Sequence, residues 1–276
     1  SQTGVGSYSF LNFPQRIRLQ GILDSVSAAN NPAGSIEKQV GDFYASGMDT
    51  ASIDKRGYDP LKPLLARIDA LNDVPSLMKL VAEEQKAGDG SIIGFSVGPD
   101  NKNSSVNIVH LSQTGIGLPD RDYYFKSDSS TLLIQQGYRK YLADLFVLTG
   151  TDAAIAAKDA ATAYGIEKQL ATAHKTNVER RDVKANYNKL ALSAIAKRHP
   201  NISWTTLFND LGLKTDSVNM RQPAYYDQLN SLLKSVPIKD WKVYLKAKAL
   251  TTYANFLSQP FADASFSYTK ILTGQA

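Results

Sequence analysis

The chain has 276 residues, no cysteine and a formal charge of +5. That length can bury a large core, and the missing cysteines exclude disulfides and thiolate metal sites. The charges are interspersed, as in Glu179-Arg180-Arg181-Asp182, which reads as a solvated mixed surface and argues against nucleic-acid binding. No apolar run in this chain approaches the roughly 20 residues needed for a transmembrane segment, and the opening Ser1-Gln2-Thr3-Gly4 lacks the basic and apolar regions of a signal peptide.

Helical periodicity dominates the chain. Ile36, Val40, Phe43, Tyr44 and Met48 form one apolar stripe at i, i+4, i+7, i+8 and i+12. Asp59-Pro60 reads as an N-cap and first turn opening a helix through Leu61, Leu64, Leu65 and Ile68. Ser76 is expected to cap a helix with Leu77, Leu80 and Val81 inward, ending near Gly88. Next, Ile92 to Val97 and Val106 to Leu111 are β-prone runs around Gly98-Pro99-Asp100-Asn101-Lys102-Asn103. They predict a β-hairpin over about 92–111 with a loop longer than two residues. Tyr138, Tyr141, Leu142, Leu145 and Phe146 predict a helix closed at Gly150, and Asp152 opens an Ala-rich helix carrying Ile155, Ile166 and Leu170. Trp241, Tyr244, Leu245, Ala249, Tyr253 and Phe256 hold one face of a late helix before Pro260. With no fixed-period repeat and no Gly/Pro/Ser-rich linker, the expected architecture is mainly α: a single multi-helix lobe over 1–276 with one β-hairpin.

The chain lacks the usual catalytic signatures. Zinc peptidase chemistry needs two histidines one helical turn apart, a third ligand, and a glutamate to activate water. The three histidines, His110, His174 and His199, are followed by Leu, Lys and Pro, so no His-Glu-x-x-His is present. His174 and His199 each read as a surface or loop histidine. No nucleophile elbow, phosphate loop or dinucleotide fingerprint occurs. The expected catalytic and metal-ligating sets of this chain are therefore empty. Asn103-Ser104-Ser105 and Asn201-Ile202-Ser203 fit glycosylation sequons, which matter only in a eukaryotic secretory setting.

One stretch is distinctive: Gly115-Ile116-Gly117-Leu118-Pro119-Asp120-Arg121-Asp122-Tyr123-Tyr124-Phe125. Gly115 and Gly117 open backbone angles closed to other residues, and Pro119 stiffens the turn. Asp120, Arg121 and Asp122 are expected to bond one another or nearby backbone, while Tyr123, Tyr124 and Phe125 anchor the loop in the core. This predicts a structural clamp fixing the hairpin onto the helices. Together with Val40-Gly41-Asp42-Phe43-Tyr44-Ala45-Ser46-Gly47-Met48-Asp49 and Arg181-Asp182 leading to Tyr187-Asn188-Lys189, the motif resembles the N-terminal region of the neprilysin-like (M13) zinc metallopeptidases. The resemblance runs from about Tyr8 to Gly274.

The resemblance implies the helical cap lobe of a zinc metalloendopeptidase. Such a lobe forms the far wall of the cavity that admits peptides and excludes folded proteins. Its partners are then the catalytic lobe of the same protein and peptide substrates, and zinc, its ligands and the catalytic glutamate lie outside this chain. Gly47 stands where animal members commonly carry cysteine, which points to a bacterial type and an extracytoplasmic location, in the periplasm or at the cell surface. Arg16 and Arg18 fall out of register with the family's carboxylate-binding arginines, so the substrate-binding residues stay unassigned. Pro223-Ala224-Tyr225-Tyr226 superficially resembles the family's substrate-binding strand but carries Pro in place of the key Asn, and reads as the start of a helix. Tyr8 to Phe13 and Phe261 to Leu272 are expected to expose apolar surface for the other lobe. The alternative reading is a free-standing α-helical binding or scaffold protein without enzyme activity.

Overall fold

A computed structural model describes residues 7–274, with side chains from residue 12 onward. The side chains of Tyr8 to Leu11, at one predicted apolar end, lie outside the described residues. Twelve α-helices and four strands account for the described chain, which is mainly α as its periodicity predicts. It divides into two compact units, 1–57 and 58–276.

The first unit comprises α1 (Ser7–Ala28), α2 (Ile36–Met48) and α3 (Thr50–Arg56). Ser35 caps α2 by accepting the Lys38 N–H at 3.1 Å, and Asp49 caps α3 through Ser52. Helices α1 and α2 meet at Gly41, where a Cβ would stand 2.9 Å from the Val26 carbonyl oxygen. The Tyr44 hydroxyl closes the pair by donating to Asp24 at 2.8 Å. The predicted α2 stripe is real as a pattern, yet Ile36 and Phe43 are 76% and 83% exposed.

The second unit holds the core. Asp59-Pro60 opens a 3-10 turn that runs into α4 (Lys62–Asp69), so Asp59 does not cap the α-helix itself. In α5 (Val74–Lys86) the cap is Asp73. The expected cap, Ser76, instead sits at the third helical position and completes a reciprocal capping box. The hairpin pairs β1 (Gly94–Asp100) with β2 (Asn103–Ser112), antiparallel. Its connection is the two residues Asn101 and Lys102, tighter than the loop predicted, with a register shift at Pro99/Asp100. Asp100 makes this possible by accepting the Lys102 N–H at 2.9 Å, and that bond with the Lys189 ammonium holds its carboxyl at a pKa of about 2.

Helices α6 (Ser129–Leu148), α7 (Ala153–Ala171), α11 (Ile238–Tyr253) and α12 (Gln259–Thr273) pack together: α6 touches α7, α11 and α12, and α7 touches α11. Every predicted inward residue of α6 is buried, and Gly150 follows with a φ of 90°. Ile155, one of the larger apolar residues of the Ala-rich helix, is exposed, and so is Phe256, expected on the shared face of the late helix. Phe256 falls in a 3-10 turn after α11, off its apolar face. The Phe261-to-Leu272 end meets expectation only in part: Phe266 is 60% exposed, but Phe261 and Tyr268 are buried and Tyr268 stacks on Tyr141 at 5.2 Å. Short α8 (Leu192–Arg198), α9 (Trp204–Asp210) and α10 (Pro223–Ser235) complete the helices.

Two strands escaped the sequence reading: β3 (Lys189–Ala191) and β4 (Ser217–Met220). The sheet order is β1-β2-β4-β3, and β4 lies parallel to β2 through Val109 to Leu111 against Val218 to Met220. Runs of three and four residues carry too little alternation to register as strands.

Candidate functional site

The Gly115–Phe125 stretch is tied to the second unit by a buried set of hydrogen bonds. Gly115 has a φ of 91°, and a Cβ there would stand 2.9 Å from the Tyr244 hydroxyl. A Cβ on Gly117 would collide with the Tyr138 hydroxyl. Glycine is thus required twice, once for conformation and once for space. The Tyr124 hydroxyl accepts the N–H groups of Gly117 and Leu118 at 3.0 and 3.1 Å and donates to Glu167 Oε2 at 2.7 Å. The Tyr138 hydroxyl donates to the other Glu167 oxygen at 2.9 Å. Glu167, on α7, is buried, and that burial raises its carboxyl pKa.

Of the three aromatics expected to anchor the loop, only Tyr124 is fully buried. Tyr123 is half-buried and Phe125 exposed, its ring flanked by the Arg121 and Lys168 cations. The charged trio also reaches outward. Arg121 donates to the His174 carbonyl at 3.2 Å, Asp120 takes the Asn177 amide at 3.1 Å, and Asp122 pairs with Lys126 at 3.3 Å.

The second family-like segment, Val178 to Lys189, is tied to the same region. Gln113 exchanges two bonds with the Lys175 backbone, at 2.9 and 2.8 Å, and its own N–H donates to Gln222 Oε1 at 2.9 Å. Gln222 and the Lys175 ammonium both donate to Asn186 Oδ1. The Asn188 N–H donates to Asn219 Oδ1 at 2.8 Å. These buried amides pin the segment to the end of β2 and the start of α10, which begins at Pro223 as predicted with Tyr225 and Tyr226 in the core.

His174 and His199 lie in loops as expected but not at the surface: they are 4% and 0% exposed, and His110, on β2, is 9% exposed. Each ring is held by protein groups. His110 donates from Nε2 to the Pro99 carbonyl and accepts Asn219 Nδ2 at Nδ1, both at 3.1 Å. His174 Nε2 donates to the Thr114 carbonyl at 3.0 Å, and burial lowers its pKa to about 4. His199 Nε2 donates to Asp227 at 2.9 Å, and burial lowers its pKa too. Polar partners made burial possible, a property the neighbouring letters do not reveal. Among the described residues no group of three or more His, Asp or Glu is placed to hold a metal ion. Each ring spends at least one nitrogen on a protein partner, and although His199 Nδ1 has none, no second His and no carboxylate joins it in a set of three, so the described residues do not fit a catalytic zinc.

A polar cleft of about 220 Å³ lies over the loop, lined by Gln113 to Ile116, Leu118 to Asp120, His174, Asn177 and Arg180. Asn177 bridges it by bonding Asp120 and accepting from Arg180 at 3.4 Å. The arrangement fixes a loop and presents polar groups; it holds no paired nucleophile and base. Glu167, the hub, was missed in the sequence. Its signal was the spacing Ala156, Ala160, Ala163, Glu167, Leu170, which puts a carboxylate on the inward face of α7.

The N-terminal-region model of peptidase family M13 matches residues 1–276. Endothelin-converting enzyme-like 1 of Mus musculus is 25% identical over 88% of this chain and 33% of its own length. Neprilysin-3 of Drosophila melanogaster is 25% identical over 98% of this chain and 37% of its own. Zinc metalloprotease Zmp1 of Mycobacterium tuberculosis, solved with an inhibitor, superposes with a TM-score of 0.89 at 29% identity over 96% of this chain and 41% of that one. PepO from Lactobacillus rhamnosis shares the fold, with a TM-score of 0.81 at 19% identity over 96% of this chain and 42% of that one. The chain thus spans 33–42% of the length of these four relatives. With the glycine-rich clamp, its buried hub and a family match along all 276 residues, this chain belongs to peptidase family M13.

Proposed function

We propose that residues 1–276 act as the non-catalytic cap lobe of a zinc metalloendopeptidase. In this reading the lobe forms the far wall of a substrate cavity and restricts the size of the peptides that enter. Zinc, its ligands and the water-activating glutamate come from a catalytic lobe outside these residues. The protein works outside the cytoplasm, in the bacterial periplasm or at the cell surface. One observation carries this: the likeness to Zmp1 covers 96% of this chain and 41% of the metalloprotease, while the chain has no His-Glu-x-x-His.

Metal analysis after dialysis, with a quenched-peptide assay, tests the proposal. The 276-residue chain should carry no stoichiometric zinc and cleave nothing, whereas the complete reading frame should do both. Stoichiometric zinc with chelator-sensitive cleavage by the 276 residues alone would overturn it. A complete reading frame without His-Glu-x-x-His would leave the scaffold reading instead.

A further inference from the structure

The polar cleft over the Gly115–Phe125 loop is lined entirely by residues of the 58–276 unit, so its shape is a property of that unit alone. Its lining carries one charge of each sign. Asp120 accepts the Asn177 amide at 3.1 Å, and the Arg180 guanidinium donates to the oxygen of that same amide at 3.4 Å. Asn177 thus holds a carboxylate and a guanidinium one amide apart, and among the described residues neither belongs to an ion pair. Both keep hydrogen-bonding capacity in reserve. The same lining includes His174, 4% exposed, whose Nε2 is spent on the Thr114 carbonyl. Its Nδ1 has no partner among the described residues and, unlike Nδ1 of His199, is not sealed in the core. The ring is neutral around neutral pH, so Nδ1 offers a lone pair to a donor.

These groups discriminate among small ligands. A phosphate dianion meets the Asp120 carboxylate, and a dication meets Arg180, so each leaves one like charge opposed. A ligand with an ammonium and a carboxylate on one carbon satisfies both. Its ammonium donates to Asp120 and to His174 Nδ1, and its carboxylate takes the two-point geometry a guanidinium favours. Size agrees, because the cleft of about 220 Å³ is smaller than the roughly 300–1,000 Å³ that drug-sized ligands occupy. Ile116 and Pro119 add an apolar wall for a single side chain. We infer that this cleft binds a free zwitterionic α-amino acid, held by Asp120, Arg180 and His174. Peptide hydrolysis ends in such zwitterions. A role as a product site rests on the reading of the chain as a peptidase lobe; binding itself does not.

Titration calorimetry of the 276-residue chain with leucine, N-acetyl-leucine, leucinamide and inorganic phosphate tests this. Leucine should bind with a Kd of about 1 mM or tighter, and the two capped forms, each lacking one charge, at least about tenfold more weakly. Arg180→Gln should erase the preference for leucine over leucinamide, and Asp120→Asn the preference over N-acetyl-leucine. Residues that only hold the loop would weaken all ligands alike. Circular dichroism checks that the variants fold; if one does not, the ligand series on the native chain decides alone. Three results would overturn the inference: no leucine binding at about 10 mM, ten times the expected Kd, a capped form that binds as tightly as leucine, or phosphate that displaces leucine. Leucine binding by a complete reading frame that cleaves no peptide keeps the site and removes the product role. Cleavage by a complete protein whose 276-residue chain binds no leucine removes the site and keeps the peptidase.

Discussion

The Tyr124 hydroxyl sits 2.7 Å from Glu167 Oε2 and is also the acceptor for two main-chain N–H groups, those of Gly117 and Leu118. One phenol thereby joins a loop that cannot bond itself to a helix that carries a buried carboxyl. Tyr124→Phe strands two donors and one carboxylate oxygen in the core. Such a loss costs about 2–4 kcal/mol of unfolding free energy, measurable by urea denaturation. A change below about 0.5 kcal/mol would show that water replaces the hydroxyl and that the clamp is not the anchor.

Gly117→Ala places a methyl group where the Tyr138 hydroxyl stands. We expect a loss of about 1–3 kcal/mol, as for other overpacked sites. In a Tyr138→Phe background the added methyl has no hydroxyl to meet, so the same substitution should cost less, with a coupling above about 0.5 kcal/mol. Additive losses would mean that Gly117 is needed for some reason other than this contact.

His174 is neutral and buried, with its pKa lowered from 6.5 to about 4. The unfolded chain therefore binds a proton between those values that the folded chain refuses, and stability contributed by neutral His174 is lost as pH falls from about 6.5 to about 4. The shift corresponds to about 3 kcal/mol at the acid end. Glu167 opposes it, because its raised pKa gives stability that is present at low pH and lost as pH rises through the folded value. His174→Gln keeps a donor toward the Thr114 carbonyl and removes the titration. Urea midpoints of native chain and variant should converge as pH drops through this window, and parallel profiles would sink the assignment.

Arg121→Ala removes the bond to the His174 carbonyl and the guanidinium over Phe125. We expect a loss of about 1–2 kcal/mol, since the bond is charge-assisted but the side chain is only half-buried. In the complete enzyme, lost cleavage with an unchanged melting temperature would instead give Arg121 a substrate role.

Local pattern determined much of this protein. The inward residues of α5 and α6 are spaced as a helix demands, their ends carry Gly88 and Gly150 at positive φ, and both were readable because those rules act within a few residues. The clamp was legible as a motif but not as a mechanism: the partner of Tyr124 lies 43 residues away on another helix. Other features depended on tertiary structure alone. β4 is a strand because β2 lies beside it, and three buried histidines are tolerated because carbonyls, an amide and a carboxylate meet them. Sequence periodicity says which side chains share a face. Only the neighbour that arrives decides whether that face is buried, because burial depends on contacts between segments distant in the chain.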